Sequence, residues 1–210
     1  MSDERAKRAK VRGTRSDGAR SRSAILSEAA RLATVEGMDG ISIARLAQAV
    51  GMSKSGLFAH FGSKEELQLA TIDAATEIFE REVLAPASAA ATGFERLNVL
   101  AEGYLGYIEG DVFPGGCFFA SALSEMDTHP GPVRDKLVAF LGDWLGHLER
   151  AIRDAQAEGA LDPAEDPAQL TFEIEAALIL ANAQFVVSHT AAPIELARRA
   201  ITRRIAAAAI

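Results

Sequence analysis

Residues able to do covalent or metal chemistry are few in this 210-residue chain: one cysteine, Cys117, and four histidines, His60, His129, His147 and His189. None of the five stands at a zinc-type spacing, so no bound metal is expected. A catalytic pair of Cys117 and His147 is formally possible. No third orienting group or nucleophile motif accompanies it, so a cysteine-dependent enzyme is the weaker expectation. The segment PGGCFF (114–119) matches neither G-x-G-x-x-G nor a Walker pattern, and no cofactor is implied. Cys117 follows Gly115 and Gly116 where a helix is expected to start, and a helix N-terminus lowers a thiol pKa. That would suit a sensor of electrophiles or oxidants. The plainer alternative is a small, inert residue buried beside Phe118 and Phe119.

A different chemistry, recognition of nucleic acid, is written into SIARLAQAVGMSKSGLFAHF, residues 42–61. Ser42 can cap a short helix with Ile43, Leu46, Ala47 and Val50 on one face. Gly51 follows, where a helix end favours a left-handed residue without a Cβ penalty. Ser53 caps a second short helix that buries Leu57 and Phe61, and the small Ala47 lets the two helices cross closely. This is a helix-turn-helix, in which the second helix enters the DNA major groove. The charge distribution agrees. Residues 1–64 hold 12 Lys/Arg against 6 Asp/Glu, whereas residues 65–210 hold 10 against 23, for a net charge of −7 overall. A basic end on an acidic body presents one face to phosphates.

The elements that must position this motif are helical. Alanine, leucine, glutamate and arginine dominate, 49% of residues are hydrophobic and 24% charged, and alternating patterns are scarce. The fold expected is all-α: an N-terminal three-helix DNA-binding head and a larger helical ligand-binding and dimerisation domain. Residues 1–19 read as a basic, disordered arm, 20–80 as the head and 81–210 as the body. A first helix over 23–36 braces the motif. Ser63 with Glu66 forms a capping box that starts a fourth helix, which Pro86 is expected to stop. Thr92 with Glu95, and Asp166 with Gln169, mark later helix starts. The helix over 166–188 is apolar nearly all round and must be covered on all sides. Together with the last helix, from Pro193, it suggests a self-association face. The longest apolar run, 176–187, is too short to span a bilayer, so a soluble, cytoplasmic protein without membrane contact is expected.

Aromatic residues crowd the middle helices. Tyr104, Tyr107, Phe113, Phe118, Phe119, Phe140, Trp144 and Phe172, with Cys117 and with Asn182 or Gln184 as polar anchors, are candidates to line an apolar ligand pocket. Plain core is an equal alternative for each.

ILSEAARLATVEGMDGISI (25–43) and IARLAQAVGMSKSGLFAHFGSKEEL (43–67) resemble the head of tetracycline-repressor-type (TetR-family) transcriptional regulators. The resemblance covers about residues 20–80; beyond them only the order of helices is similar. It implies a homodimeric regulator, most often a repressor, released from a palindromic double-stranded DNA operator by a small apolar or amphipathic effector. It also implies roles for individual residues. Ser42 would meet a phosphate through its hydroxyl and amide. Ser53, Lys54, Ser55, Gly56 and Leu57 would form the exposed start of the recognition helix, with Lys54 on a guanine edge or a phosphate. His60 and Lys64 would reach the backbone. Phe58 departs from the family, which usually has tyrosine there, and a phosphate contact is lost. Some members of the family use a cysteine at the position of Cys117 as a sensor. A DNA-binding architectural protein is the further alternative, separated by its indifference to a palindrome.

Overall fold

Serine and threonine hydroxyls set most of the helix starts in the N-terminal half of the chain. The computed structural model describes residues 22–210, so the expected basic arm lies outside the described residues. Helix α1 covers 22–36 and ends before Gly37, whose φ is +81°. Helices α2 (Ile43–Ala49), α3 (Lys54–Phe61) and α4 (Lys64–Phe79) follow. The hydroxyls of Ser42, Ser53 and Ser63 accept from the amides of Arg45, Gly56 and Glu66, each at 3.1 Å. Such a cap satisfies one of the amides that a helix start leaves without an intrahelical partner, and is worth about 1 kcal/mol. Between α2 and α3, Gly51 takes the left-handed conformation (φ +68°) and lets the Met52 amide return to the Ala47 carbonyl.

Pro86 does not stop the fourth helix. The chain passes through a π-helical turn, Glu80–Leu84, and continues as α5 (Ala85–Ser88). The π-turn widens the backbone by one residue, so the Ala85 amide bonds the Glu80 carbonyl. That wider turn accommodates a ring that would clash with a regular α-helical one. The body then comprises α6 (Gly93–Glu109), α7 (Phe118–Met126), α8 (Pro132–Ala157), α9 (Pro167–Ser188) and α10 (Ala192–Ala207). No strand occurs among the described residues, which confirms the all-α expectation. The later caps are made differently from the expected boxes. Thr92 accepts from the Glu95 amide while Glu95 accepts from Ala91, and Asp166 accepts from Ala168 while Gln169 turns to Glu173.

One hydrophobic core runs without a break from Ile25 in α1 to Ala208 at the end of α10. Head and body are therefore not beads on a string. Helix α6 lies at the centre of the body and packs on α5, α8, α9 and α10. Arg198 of α10 bonds Glu102 of α6 at 2.9 Å, and Arg204 bonds Glu165 and Glu173. Helix α9 departs from the expectation that it would be covered all round. Leu170, Ile174, Leu178 and Ala181 face inward, but Phe172, Ile179, Leu180 and Val187 are exposed. Among the described residues it alone is long and apolar enough to cross a membrane, although the apolar run within it is short. Glu173, Glu175 and the α6, α8 and α10 contacts give it instead the character of a body helix with one open face.

Candidate nucleic-acid interface and effector chamber

Burial sorts the predicted head residues into two groups. Lys54, Ser55 and Phe58 stand outward on α3, with Phe58 53% exposed, and His60 and Gly56 are partly covered. Leu57 is fully buried, which corrects its place among the DNA-contacting residues. It lies one turn before Phe61 on the face turned to the core, where burial contributes about 1.5–3 kcal/mol. Ser53 is exposed, but its hydroxyl already holds the Gly56 amide and lies 3.3 Å from the Ser55 hydroxyl. Ser42 is likewise engaged as a cap.

The cations of the head differ in how free they are. Arg45 makes a two-pronged pair with Glu36, and Arg22 lies over the Phe61 ring at 5.0 Å. Lys64 donates to the Asp39 carbonyl at 2.9 Å and to its carboxylate at 3.0 Å, and this contact holds the Asp39 pKa below its ordinary value. Lys54 has no acidic partner among the described residues. On the outward face of α3, Lys54 is thus a cation free, among the described residues, to meet a phosphate or a base edge.

The loop after α1 is tied to the body. Glu125 of α7 accepts from the Met38 amide at 2.6 Å and the Asp39 amide at 2.8 Å, and Gln68 of α4 donates to the Met38 carbonyl at 2.8 Å. Glu125 was not legible as a functional residue, because its partners lie more than eighty positions away. The pair Gly115–Gly116 does comparable work. Gly115 abuts Thr34 of α1, and Gly116, at φ +77°, abuts Asn182 of α9.

In the body the aromatic residues close on a small chamber of about 30 Å³, large enough for one water. Of the predicted pocket residues, Tyr104, Cys117 and Trp144 line it. Tyr107 and Phe118 pack behind it as core, and Asn182 turns to the backbone, accepting from the Cys117 amide at 2.8 Å. Phe172 is 69% exposed on the outer face of α9, which removes it from the pocket. The aromatic count was legible but the facing was not, since α9 is apolar on every side. Phe119 and Phe140, also among the expected aromatics, line the chamber too, whereas Phe79 and Glu175 are lining residues that sequence reasoning missed. Glu175 accepts from the Trp144 indole N–H at 2.8 Å, and burial raises its pKa despite that bond.

Cys117 precedes the first residue of α7, as expected, but it is 2% exposed. Burial raises its pKa, and the lowering by nearby amides and Tyr104 does not offset it. The sensor reading therefore loses its physical basis, because the thiolate is the reactive form. In the native protein Cys117 is expected to resist iodoacetamide at pH 7–8 and to react fully in denaturant, with mass spectrometry as the check.

The class these features define is a helix-turn-helix DNA-binding regulator with an all-helical body. The comparisons agree. The family described as "Bacterial regulatory proteins, tetR family" matches residues 25–71, and "Tetracyclin repressor-like, C-terminal domain" matches residues 93–201. A TetR transcriptional regulator from Chloroflexus aurantiacus J-10-FL superposes with a TM-score of 0.84 at 25% identity, over 90% of this chain and 96% of that one. A TetR-family regulator from Cytophaga hutchinsonii gives 0.80 at 22%, over 91% and 96%. AibR in complex with isovaleryl coenzyme A and operator DNA gives 0.71 at 26%, over 87% and 97%. A comparison with curated protein sequences gives no match. The chain belongs to the tetR family and is a DNA-binding, ligand-responsive transcriptional regulator.

Proposed function

We propose that the protein is a cytoplasmic repressor that binds a palindromic operator as a homodimer and leaves it when a small effector enters the body. The head spans about residues 20–80 and the body 81–210. Ser42, Ser53, Lys54, Ser55, Gly56, Phe58, His60 and Lys64 form the DNA-facing surface, with Leu57 in the core behind it. The dimer forms through α9 and α10, placing two copies of α3 about 34–36 Å apart in successive major grooves. The observation that carries this reading is the outward face of α3, where Lys54 lacks an acidic partner among the described residues.

The test is a salt titration of binding to an operator selected from random DNA. Lys54→Ala is expected to weaken binding about tenfold or more. Lys64→Ala is expected to act alike on all sequences and to reduce the salt slope by about 0.9 per phosphate contact. Its effect should be the smaller, because a phosphate must first compete with Asp39 for the ammonium group. Unchanged affinity in both variants would remove the interface from this face.

Release needs a route from chamber to head. Phe79, the last residue of α4, lies among the chamber rings, while Lys64 at the other end of α4 lies at the head surface. Helix α7 gives a second route, with Cys117 and Phe119 at the chamber and Glu125 on the Met38–Asp39 amides. An effector that fits better when α4 and α7 are displaced shifts the population toward wrongly spaced heads.

A further inference from the structure

The chamber has a composition that narrows the chemistry of what it can hold. Five rings surround it: Phe79, Tyr104, Phe119, Phe140 and Trp144. Phe79 meets the other four edge-on, with centroids 5.1–6.2 Å apart, and Tyr104 lies along Trp144 at 5.8 Å and 22°. Ring faces carry negative quadrupole density and attract cations. One carboxyl group, that of Glu175, enters this wall, and among the described residues only one of its oxygens is occupied, by the Trp144 indole. The Tyr104 hydroxyl, buried to 2% exposure, lies against the Cys117 thiol without a well-formed hydrogen bond. A buried hydroxyl left in this state costs free energy that a ligand can recover.

The approach to the chamber has the same sign. An adjoining cavity of about 150 Å³ shares Phe79, Phe140 and Trp144 with it and opens past Glu80, Asp143, His147 and Arg150. Burial and the neighbouring Arg150 hold the His147 pKa below its ordinary value, so the imidazole stays neutral. Across both cavities three carboxyl groups face one permanent cation. The wider groove outside adds Arg96, but that guanidinium is already committed to Asp154 at 2.6 Å. A polyanionic ligand meets no free cationic cluster here.

We propose that this chamber takes a small organic ammonium ion, with Glu175 as counter-charge, the five rings as walls and the Tyr104 oxygen turned to the positive centre. This rests on the reading of the middle helices as the effector site. The ligand occupies the chamber together with the adjoining cavity, and parts the Phe119–Phe140 stack, whose planes differ by 7°. Phe79 is in contact with both cavities, so the same displacement bears on α4.

The test uses the full-length protein and the fluorescence of Trp144, the single tryptophan of the chain. Three probes are titrated: benzyltrimethylammonium, its uncharged carbon isostere neopentylbenzene, and isovaleryl coenzyme A. The cation is expected to bind about tenfold or more tightly than the isostere, and Glu175→Gln is expected to abolish that preference. Equal or tighter binding of the isostere or of the coenzyme A ester would overturn the proposal, as would a cation preference that survives Glu175→Gln. The comparison of probes on the unmodified protein decides the matter even where the variant fails to fold. Release of operator DNA is measured separately. Cation binding without release leaves the chamber assignment standing and removes its role as effector site, whereas release by a non-cationic probe does the reverse.

Discussion

Leu180→Glu is expected to abolish the proposed dimer and to lower operator affinity about a hundredfold or more. The size of the effect follows from the outer face of α9. Phe172, Ala176, Leu180, Ala183 and Val187 recur at intervals of three and four and all point to solvent, with Leu180 57% and Val187 84% exposed. On α10, which packs on α9, Leu196, Ala200 and Ala207 are also exposed, Leu196 to 56%. A large apolar face on a folded protein marks a binding surface, and alanines at its centre allow two helix pairs to approach closely. A two-fold axis through such a face brings each Leu180 near its symmetry mate or an apolar neighbour. A buried carboxylate there has no partner, and its desolvation outweighs the remaining contacts. Losing the dimer removes the second head from the same DNA molecule. The effective concentration that linked the two half-site contacts disappears, which typically costs 10²–10⁴ in affinity, so about a hundredfold is the lower end. Sedimentation velocity should show a single species at monomer mass with helical circular dichroism retained. A dimer that persists in Leu180→Glu at micromolar concentration would place the interface elsewhere.

The contrast between Leu180 and Leu57 shows what a sequence can and cannot say about a site. Both are leucines on helices with polar ends, and local pattern gives each a helix but not a facing. Leu57 has Phe61 one turn later, so its burial was legible, and only its assignment to the DNA surface was mistaken. Around Leu180 the neighbours are apolar apart from Asn182 and Gln184, the helix has almost no directional bias, and only the packing against α6, α8 and α10 decides which side remains open. Phe172 went to the wrong side for the same reason. Caps were legible because they are local: Ser42, Ser53, Ser63, Thr92 and Asp166 each hold an amide two or three residues ahead. Their distant counterparts were not. Nothing near Glu125 announces that it will hold the Met38 and Asp39 amides, and nothing near Glu175 announces the Trp144 indole. For the cysteine the inert, buried reading holds, and its sensor alternative fails for a third reason. A helix N-terminus lowers a thiol pKa only as far as solvent allows, and burial at 2% exposure reversed the sign.

Gly115→Ala destabilises the fold by about 2 kcal/mol or more, lowering Tm by about 4–8 °C. The residue sits in the loop before α7, where its amide donates to the Thr34 hydroxyl of α1 at 3.2 Å. A Cβ at this position would fall on the Thr34 carbonyl oxygen, with the carbonyl carbon only 2.6 Å away. The obstacle is backbone, which cannot swing aside as a side chain can, so α1 or the loop must move. Either movement opens the core that head and body share, and strains the neighbouring Glu125 contacts to the Met38–Asp39 amides. Gly142→Ala supplies the control. Gly142 lies exposed within α8, and nothing stands within 4 Å of a Cβ built there. Alanine in a helix interior is favoured over glycine by about 0.5–1 kcal/mol, so this variant should melt above the parent protein. The same chemical change, one methyl group, is thus expected to have opposite signs at two glycines. Thermal melts of the two variants separate a steric requirement at the head–body junction from a general effect of glycine on chain entropy. A melt of Gly115→Ala equal to that of the parent would mean that α1 and the α7 loop do not meet as closely as their geometry requires.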